Sequence, residues 1–211
     1  MSNQDKLDAL KTQIETELVC PLKDAATNIV FGKGNPNADI LFIGEAPGEK
    51  EDEQGIPFVG RAGKELDKFL RTIGLTLDDV YIANILKYRP PKNRDPTKEE
   101  MLSHTPYLVK QIEIIQPKVL VTLGNYATKF VLNNFTPVGM QKIQGISKLH
   151  GSFTEIETEN ASFAVMPLYH PAAMLYNPKL RQTLEADFVK LGNKLGRKPT
   201  GTSGQSTLGK F

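Results

Sequence analysis

The side chains able to do chemistry sit in a few short stretches, far apart in the chain. The first is Gly44-Glu45-Ala46-Pro47-Gly48, small or rigid at every position but one. Such a turn lets backbone lie against a ligand and aim its N–H groups at it. Glu49, Glu51, Asp52 and Glu53 follow in what reads as an acidic loop. That is a poor cradle for phosphate, and the glycine patterns of nucleotide-binding loops are absent. Phe58 lies between Pro57 and Gly60, off any periodic face. It either tucks into the core or gives a planar ligand a surface to stack on. Asn84 closes an apolar run; its amide sets a donor beside an acceptor, suited to the edge of a base or to its own turn. Lys87, Arg89, Lys92 and Arg94 share a loop stiffened by Pro90, Pro91 and Pro96. It is either an ordinary solvated loop or positive charge placed for a polyanion. His170, directly before Pro171, serves either structure or chemistry.

Each stretch follows or flanks an apolar run. Residues 40–43, 80–85, 118–123 and 163–168 have the length and composition of buried strands, and 153–156 adds another. Leu7, Leu10, Ile14 and Leu18 mark an amphipathic helix over 5–19. Leu66, Phe69, Leu70 and Ile73 mark a second, stopped by Gly74. Thr97 and Glu100 form a capping box for a third, which Pro106 should break or restart before Leu108, Ile112 and Ile115. A short helix covers 127–132. Leu180, Leu184, Phe188, Leu191 and Leu195 line the last, ending at Gly196. Residues 32–38 read as turn. Strand and helix mostly alternate, which predicts an α/β fold with a mainly parallel sheet. Ligands bind beyond the carboxyl ends of such strands. Gly44 to Gly48, Asn84, Gly124-Asn125 and His170 all fall at those ends. That points to one site without naming its chemistry.

Bulk properties narrow the field. The 211 residues suit one good core, and the net charge of +2 gives no global basic field, so any nucleic-acid signal must be local. The single cysteine, Cys20, excludes a disulfide scaffold or a multi-cysteine metal site within one chain. No apolar run reaches the length of a membrane span, and MSNQDKLDAL is not a signal peptide. A monomeric intracellular protein is expected, cytoplasmic or, in a eukaryote, nuclear, with no membrane partner.

Four segments now become specific together. GEAPGEKED, GIPFVGRAG, NILKYRPPKNRDP and HPAAMLYNP, in this order and spacing, resemble the signature segments of family-4 uracil-DNA glycosylases, over roughly residues 17 to 190. The resemblance implies a three-layer α/β/α sandwich around a central, mainly parallel four-stranded sheet, here residues 1–197. It implies hydrolysis of the N-glycosidic bond of uracil in DNA, leaving an abasic site. Phe58 would stack on the extruded uracil, Asn84 would bond its edge, and His170 would stand near O2. Gly44, Ala46, Pro47 and Gly48 would shape the pocket, with Glu45 and Ala46 closest to the sugar. Glu51 would be the leading catalytic carboxylate, Glu45 its competitor, and Asn93 would lie near Glu51. The basic loop (Lys87, Arg89, Lys92, Arg94) would meet the DNA backbone, and Met174 and Leu175 would supply an apolar wedge or simply pack. Excision of another deaminated base, such as hypoxanthine, and weak uracil or DNA binding without turnover remain alternatives.

The sequence also departs from that family. Its members usually hold a [4Fe–4S] cluster through four cysteines, and aligning the flanking motifs sets those positions at Glu17, Cys20, Tyr88 and His104. Clusters need thiolates, so no cluster and no metal is expected. A zinc ion on Glu17, Cys20 and His104 is chemically allowed. Tyr88 should fill the vacated space, and Tyr176 replaces the usual arginine of the last motif. Beyond Gly196, residues 198–211 are rich in Gly, Ser and Thr and are expected to be a flexible tail. Within it, Gln205, Leu208 and Phe211 resemble the QxxLxxF box by which archaeal and eukaryotic repair proteins bind a sliding clamp.

Overall fold

Residues 40–43 are all buried, yet they serve two cores. Leu41 and Ile43 join one apolar cluster with Leu7, Leu108 and Phe130, while Ile40 and Phe42 join another with Leu66, Phe69 and Phe188. Successive strand side chains point to opposite faces, so a strand covered on both faces reads as an unbroken apolar run. The sheet is therefore a middle layer between two layers of helices.

The computed structural model describes residues 1–158 and 161–197. In chain order the elements are α1 (Asn3–Glu17), α2 (Pro21–Ala25), β1 (Lys33–Gly34), β2 (Ile40–Gly44), α3 (Glu49–Gln54), α4 (Arg61–Thr72) and β3 (Tyr81–Asn84). Then come α5 (Lys98–Ile115), β4 (Val119–Leu123), α6 (Asn125–Leu132), α7 (Ile146–Leu149), β5 (Thr154–Glu157), β6 (Ser162–Leu168) and α8 (Leu180–Lys194). The sheet has six strands in the order β1-β3-β2-β4-β6-β5. Its central pairings, β3 with β2, β2 with β4 and β4 with β6, are parallel. The edge strands β1 and β5 pair antiparallel. The expected four-stranded sheet is thus the core of a six-stranded mixed one. β1 escaped notice because it is a two-residue bridge inside a turn-rich stretch.

Two local expectations need correction. The acidic stretch after Gly48 is not a loop but α3. Carboxylates at Glu49, Glu51 and Asp52 occupy its first turn, where they complement the positive end of the helix dipole. Gly55, at φ 68°, ends it in the left-handed conformation. Pro106 does not interrupt α5, which runs through it. The carbonyl four residues back belongs to Leu102, an exposed residue, so water can take the place of the lost helical donor. The Thr97–Glu100 capping box is present: Glu100 N donates to Thr97 Oγ1 at 3.2 Å and Thr97 N donates to Glu100 Oε2 at 2.9 Å.

Candidate active site

At the carboxyl ends of the central strands the chain leaves a cavity of roughly 480 Å³. All four peculiar strand ends contribute to it: the turn after β2, Asn84 at the end of β3, Gly124-Asn125 after β4 and His170 after β6. Glycines let its walls close up. A Cβ on Gly44 would overlap Asn84 Oδ1 and come within 3.3 Å of the Phe58 ring, so the amide and the aromatic both close on this glycine. A Cβ on Gly63 in α4 would overlap the Phe58 carbonyl. Phe58 itself sits at φ 56°, a conformation costly for a bulky L residue and held here by that close packing. Its ring lies 5.6 Å from the His170 ring, centroid to centroid.

Asn84 is 3% exposed. Its backbone carbonyl accepts from Lys87 Nζ at 2.8 Å, but among the described residues nothing hydrogen-bonds to its side-chain amide. The amide faces the cavity, where water or a ligand can meet it.

His170 Nδ1 accepts from the N–H of Ala172 at 3.2 Å. Burial pushes its imidazole down to about 4, against the pull of Glu51. The ring is therefore neutral near pH 7 with its proton on Nε2, which makes Nε2 a donor. Glu51 lines the same cavity from α3, and its Oε1 accepts from Gly60 N at 3.1 Å. Glu45 is different. Burial first, and then the charge of Asp95, raise its carboxyl to about 7. Asp95 is held by the Tyr126 hydroxyl, which donates at 2.8 Å. Asp95 and Tyr126 are not candidate site residues from the sequence. Asp95 lies inside a signature segment, but nothing local marks it as a neighbour of Glu45.

The basic loop divides. Asn93 and Arg94 line the cavity. Lys92 and Asn93 both take positive φ, at 55° and 54°. Arg89 Nε donates to Asn93 Oδ1 at 2.8 Å. Arg94 forks onto both carboxylate oxygens of Glu100, so part of its charge is already matched. Lys92 is exposed. Lys87 is not available to DNA: it is fully buried, and its ammonium reaches Asn84 O and Gln111 Oε1. The spacing of charges in a loop could not reveal that this one turns inward. Met174 is likewise buried, in the cluster with Leu66 and Phe188, and offers no wedge. Leu175 and Tyr176, at 50% and 89% exposure, remain free to meet a ligand.

The positions that resemblance assigns to cluster ligands form a separate patch. Cys20, Tyr88 and His104 are buried, and the Tyr88 and His104 rings meet edge to face, 6.2 Å between centroids. Glu17 is exposed and accepts from Gln13 Nε2 at 2.7 Å. One thiol among these donors does not fit a group held by four thiolates. No three His, Cys, Asp or Glu side chains among the described residues, Glu17, Cys20 and His104 included, stand together in a metal-holding group. Nor is any described helix long and apolar enough to cross a membrane.

Comparison with known proteins agrees with the geometry. Residues 31–195 match the family model of the uracil DNA glycosylase superfamily. A type-4 uracil-DNA glycosylase of Archaeoglobus fulgidus is 46% identical over 92% of this chain and 96% of its own length. One from Sulfurisphaera tokodaii is 45% identical over 89% of this chain and 84% of its own, and one from Thermotoga maritima 38% over 90% and 94%. The chain belongs to the uracil DNA glycosylase superfamily.

Proposed function

We propose that this member of the uracil DNA glycosylase superfamily removes uracil from DNA by hydrolysing its N-glycosidic bond. The observation that carries the reading is Asn84: an amide on the cavity wall that meets no hydrogen-bonding side chain or backbone group among the described residues, packed with Phe58 around Gly44 and sharing the cavity with Phe58 and His170. Such an amide calls for a ligand with a donor and an acceptor side by side, and the edge of uracil offers both.

The base must first leave the stack, at a cost of a few kcal/mol. Phe58 then stacks on its face and Asn84 bonds its edge. The C1′–N1 bond breaks with its electron pair passing to uracil, whose charge spreads to O2. Water adds to the cationic C1′ and gives up a proton, leaving an abasic sugar and, after protonation, neutral uracil. Neutral His170 donates from Nε2 to O2, where negative charge grows. Glu51, fixed by Gly60 N, orients the water; Glu45, once ionised, stabilises the sugar cation. Arg89, Lys92, Arg94 and Leu175 meet the DNA around the extruded nucleotide.

The enzyme is further proposed to work as a monomer without an iron–sulfur cluster, from one domain of residues 1–197. Iron and acid-labile sulfide near one equivalent per chain or above, in protein purified under nitrogen, would contradict the cluster-free reading. The proposed clamp box, Gln205, Leu208 and Phe211, lies outside the described residues. The activity itself is tested with oligonucleotides carrying uracil, hypoxanthine or thymine, followed by alkaline cleavage at abasic sites. Scission at uracil alone is the expected result. Retention of the uracil strand without scission would make the protein a binder, and scission at hypoxanthine would change the substrate.

A further inference from the structure

Lys87 is a fully buried charged residue, in direct contact with the end of β3, that the reaction above leaves without a task. We infer that Lys87, aimed by Gln111, is a positioning residue that fixes the end of β3 and with it the direction of the Asn84 amide. This rests on the proposed reading of Asn84 as the group that meets uracil.

The geometry runs through three elements. β3 ends at Asn84, and the next two residues hook onto the pocket turn: Ile85 N donates to Gly44 O at 2.9 Å and Leu86 N to Glu45 O at 3.1 Å. Lys87 then turns inward. Its own carbonyl accepts from Val30 N at 2.8 Å, and its side chain doubles back three residues to the Asn84 carbonyl at 2.8 Å. The same Nζ reaches Gln111 Oε1 in α5 at 2.5 Å, and Gln111 Nε2 donates to Phe31 O at 3.0 Å. The ammonium also lies 6.0 Å from the Phe31 ring centroid. One side chain thus ties the strand end to α5 and to the segment before β1. A buried carbonyl at a strand end needs a donor, and only a long side chain with a donor at its tip can return from Lys87 to reach it. Amine and ammonium both donate, so the contact does not depend on the charge state. With its carbonyl pinned, the Asn84 backbone cannot swing, so the Cα from which the amide reaches the cavity, packed close to Gly44, is held in place.

A structural role alone would weaken every function equally; a positioning role should be felt only where the base is read. The test compares two duplexes by fluorescence anisotropy. One carries 2′-fluoro-2′-deoxyuridine, whose electron-withdrawing fluorine keeps the glycosidic bond intact. The other carries a tetrahydrofuran abasic site. Wild type should prefer the base-bearing duplex. Lys87→Met should cut that preference about tenfold, or about 1.4 kcal/mol, while binding the abasic duplex within about twofold of wild type. Gln111→Met should move the preference the same way, about threefold, and decides the matter should Lys87→Met fail to fold by circular dichroism. Full preference in the folded variant, or equal weakening on both duplexes, overturns the assignment of Lys87. A wild type with no preference overturns the reading of Asn84 itself, and this assignment with it.

Discussion

Two neutral histidines divide the molecule between them. His170 and His104 are both pushed down to about 4 by burial, so both are neutral near pH 7. Their hydrogen bonds are opposite. His170 Nδ1 accepts from a backbone N–H, which leaves Nε2–H as a donor in an open cavity. His104 Nδ1 lies 2.7 Å from the Glu100 carbonyl and must donate to it, which leaves Nε2 as a bare lone pair, buried and without a partner. The first ring stands beside Phe58, Asn84 and Glu51; the second packs against Tyr88 near Cys20. Residue type and charge state are the same in both places, but His170 keeps some exposure toward the cavity while His104 has none. What separates a candidate site from a filled core is the direction of the free nitrogen and the presence of empty space before it.

The sharpest way to break this comparison uses two residues four apart in sequence. Asn84→Asp puts a carboxylate where uracil O4 should lie and should lower single-turnover excision by about 10⁴-fold, the scale on which a site built for one hydrogen-bond pattern rejects another. Tyr88→Phe, in the packed patch, should stay within about threefold of wild type. Comparable losses in both would mean that the packed patch matters to excision as much as the cavity does. The histidines give the next test. His170→Ala should cost about 10²–10³-fold, the usual loss when a donor to developing negative charge is removed. His104→Leu removes an unsatisfied buried nitrogen and should leave excision within about threefold. An active His170→Ala enzyme would take the imidazole out of the reaction.

Why the cavity could be read in advance and the patch only in part follows from the same contrast. Gly44, Asn84 and His170 sit at strand ends, and the topology of a parallel sheet brings strand ends together whatever the loops do. Their convergence needed only the strand positions, which the apolar runs supplied. The edge strands β1 and β5 add nothing to the cavity, so misjudging the strand number did not move the site. Lys87 shows where such reading stops. Leu86 and Tyr88 flank it and a run of prolines and cations follows, and nothing there tells that its side chain folds back under β3 toward Gln111 in α5. Met174 fails similarly: one residue decides between core and surface in a short 3₁₀ turn, and only packing against Leu66 and Phe188 settles it. Asp95 matters through the repulsion it exerts on Glu45, fifty residues away, and such a long-range effect leaves no periodic trace.

A smaller effect sharpens the electrostatic side. Glu45, raised to about 7, should give excision a pH dependence that His170 and His104, already neutral, cannot. If the ionised carboxylate stabilises the sugar cation, kcat/KM should rise with pH through about 7. Glu45→Gln should flatten that rise and cost about tenfold at pH 8. A profile unchanged in Glu45→Gln assigns the titration elsewhere and leaves Glu51 as the working carboxylate.

The smallest expected effect is on stability, and its sign is fixed. The Glu45 carboxyl goes from 4.5 in the unfolded chain to about 7 in the folded one, chiefly because burial disfavours the charge. Between those values the folded protein holds a proton that the unfolded chain has released. The stabilising contribution is whole below about pH 4.5, is lost as pH rises through about 7, and changes no further above that. Glu45→Gln carries no titrating group and escapes the loss. Its melting temperature should match wild type at pH 5 and exceed it at pH 8. Lys87 and the two histidines also titrate, but with the opposite sign, since burial lowers all three. They are common to both proteins and cancel in the difference. A melting-temperature difference that stays constant from pH 5 to pH 8 would mean that water reaches Glu45 freely. The cavity would then be too wet for the carboxylate to act on the sugar, and the contrast with the dry patch around His104 would lose half its content.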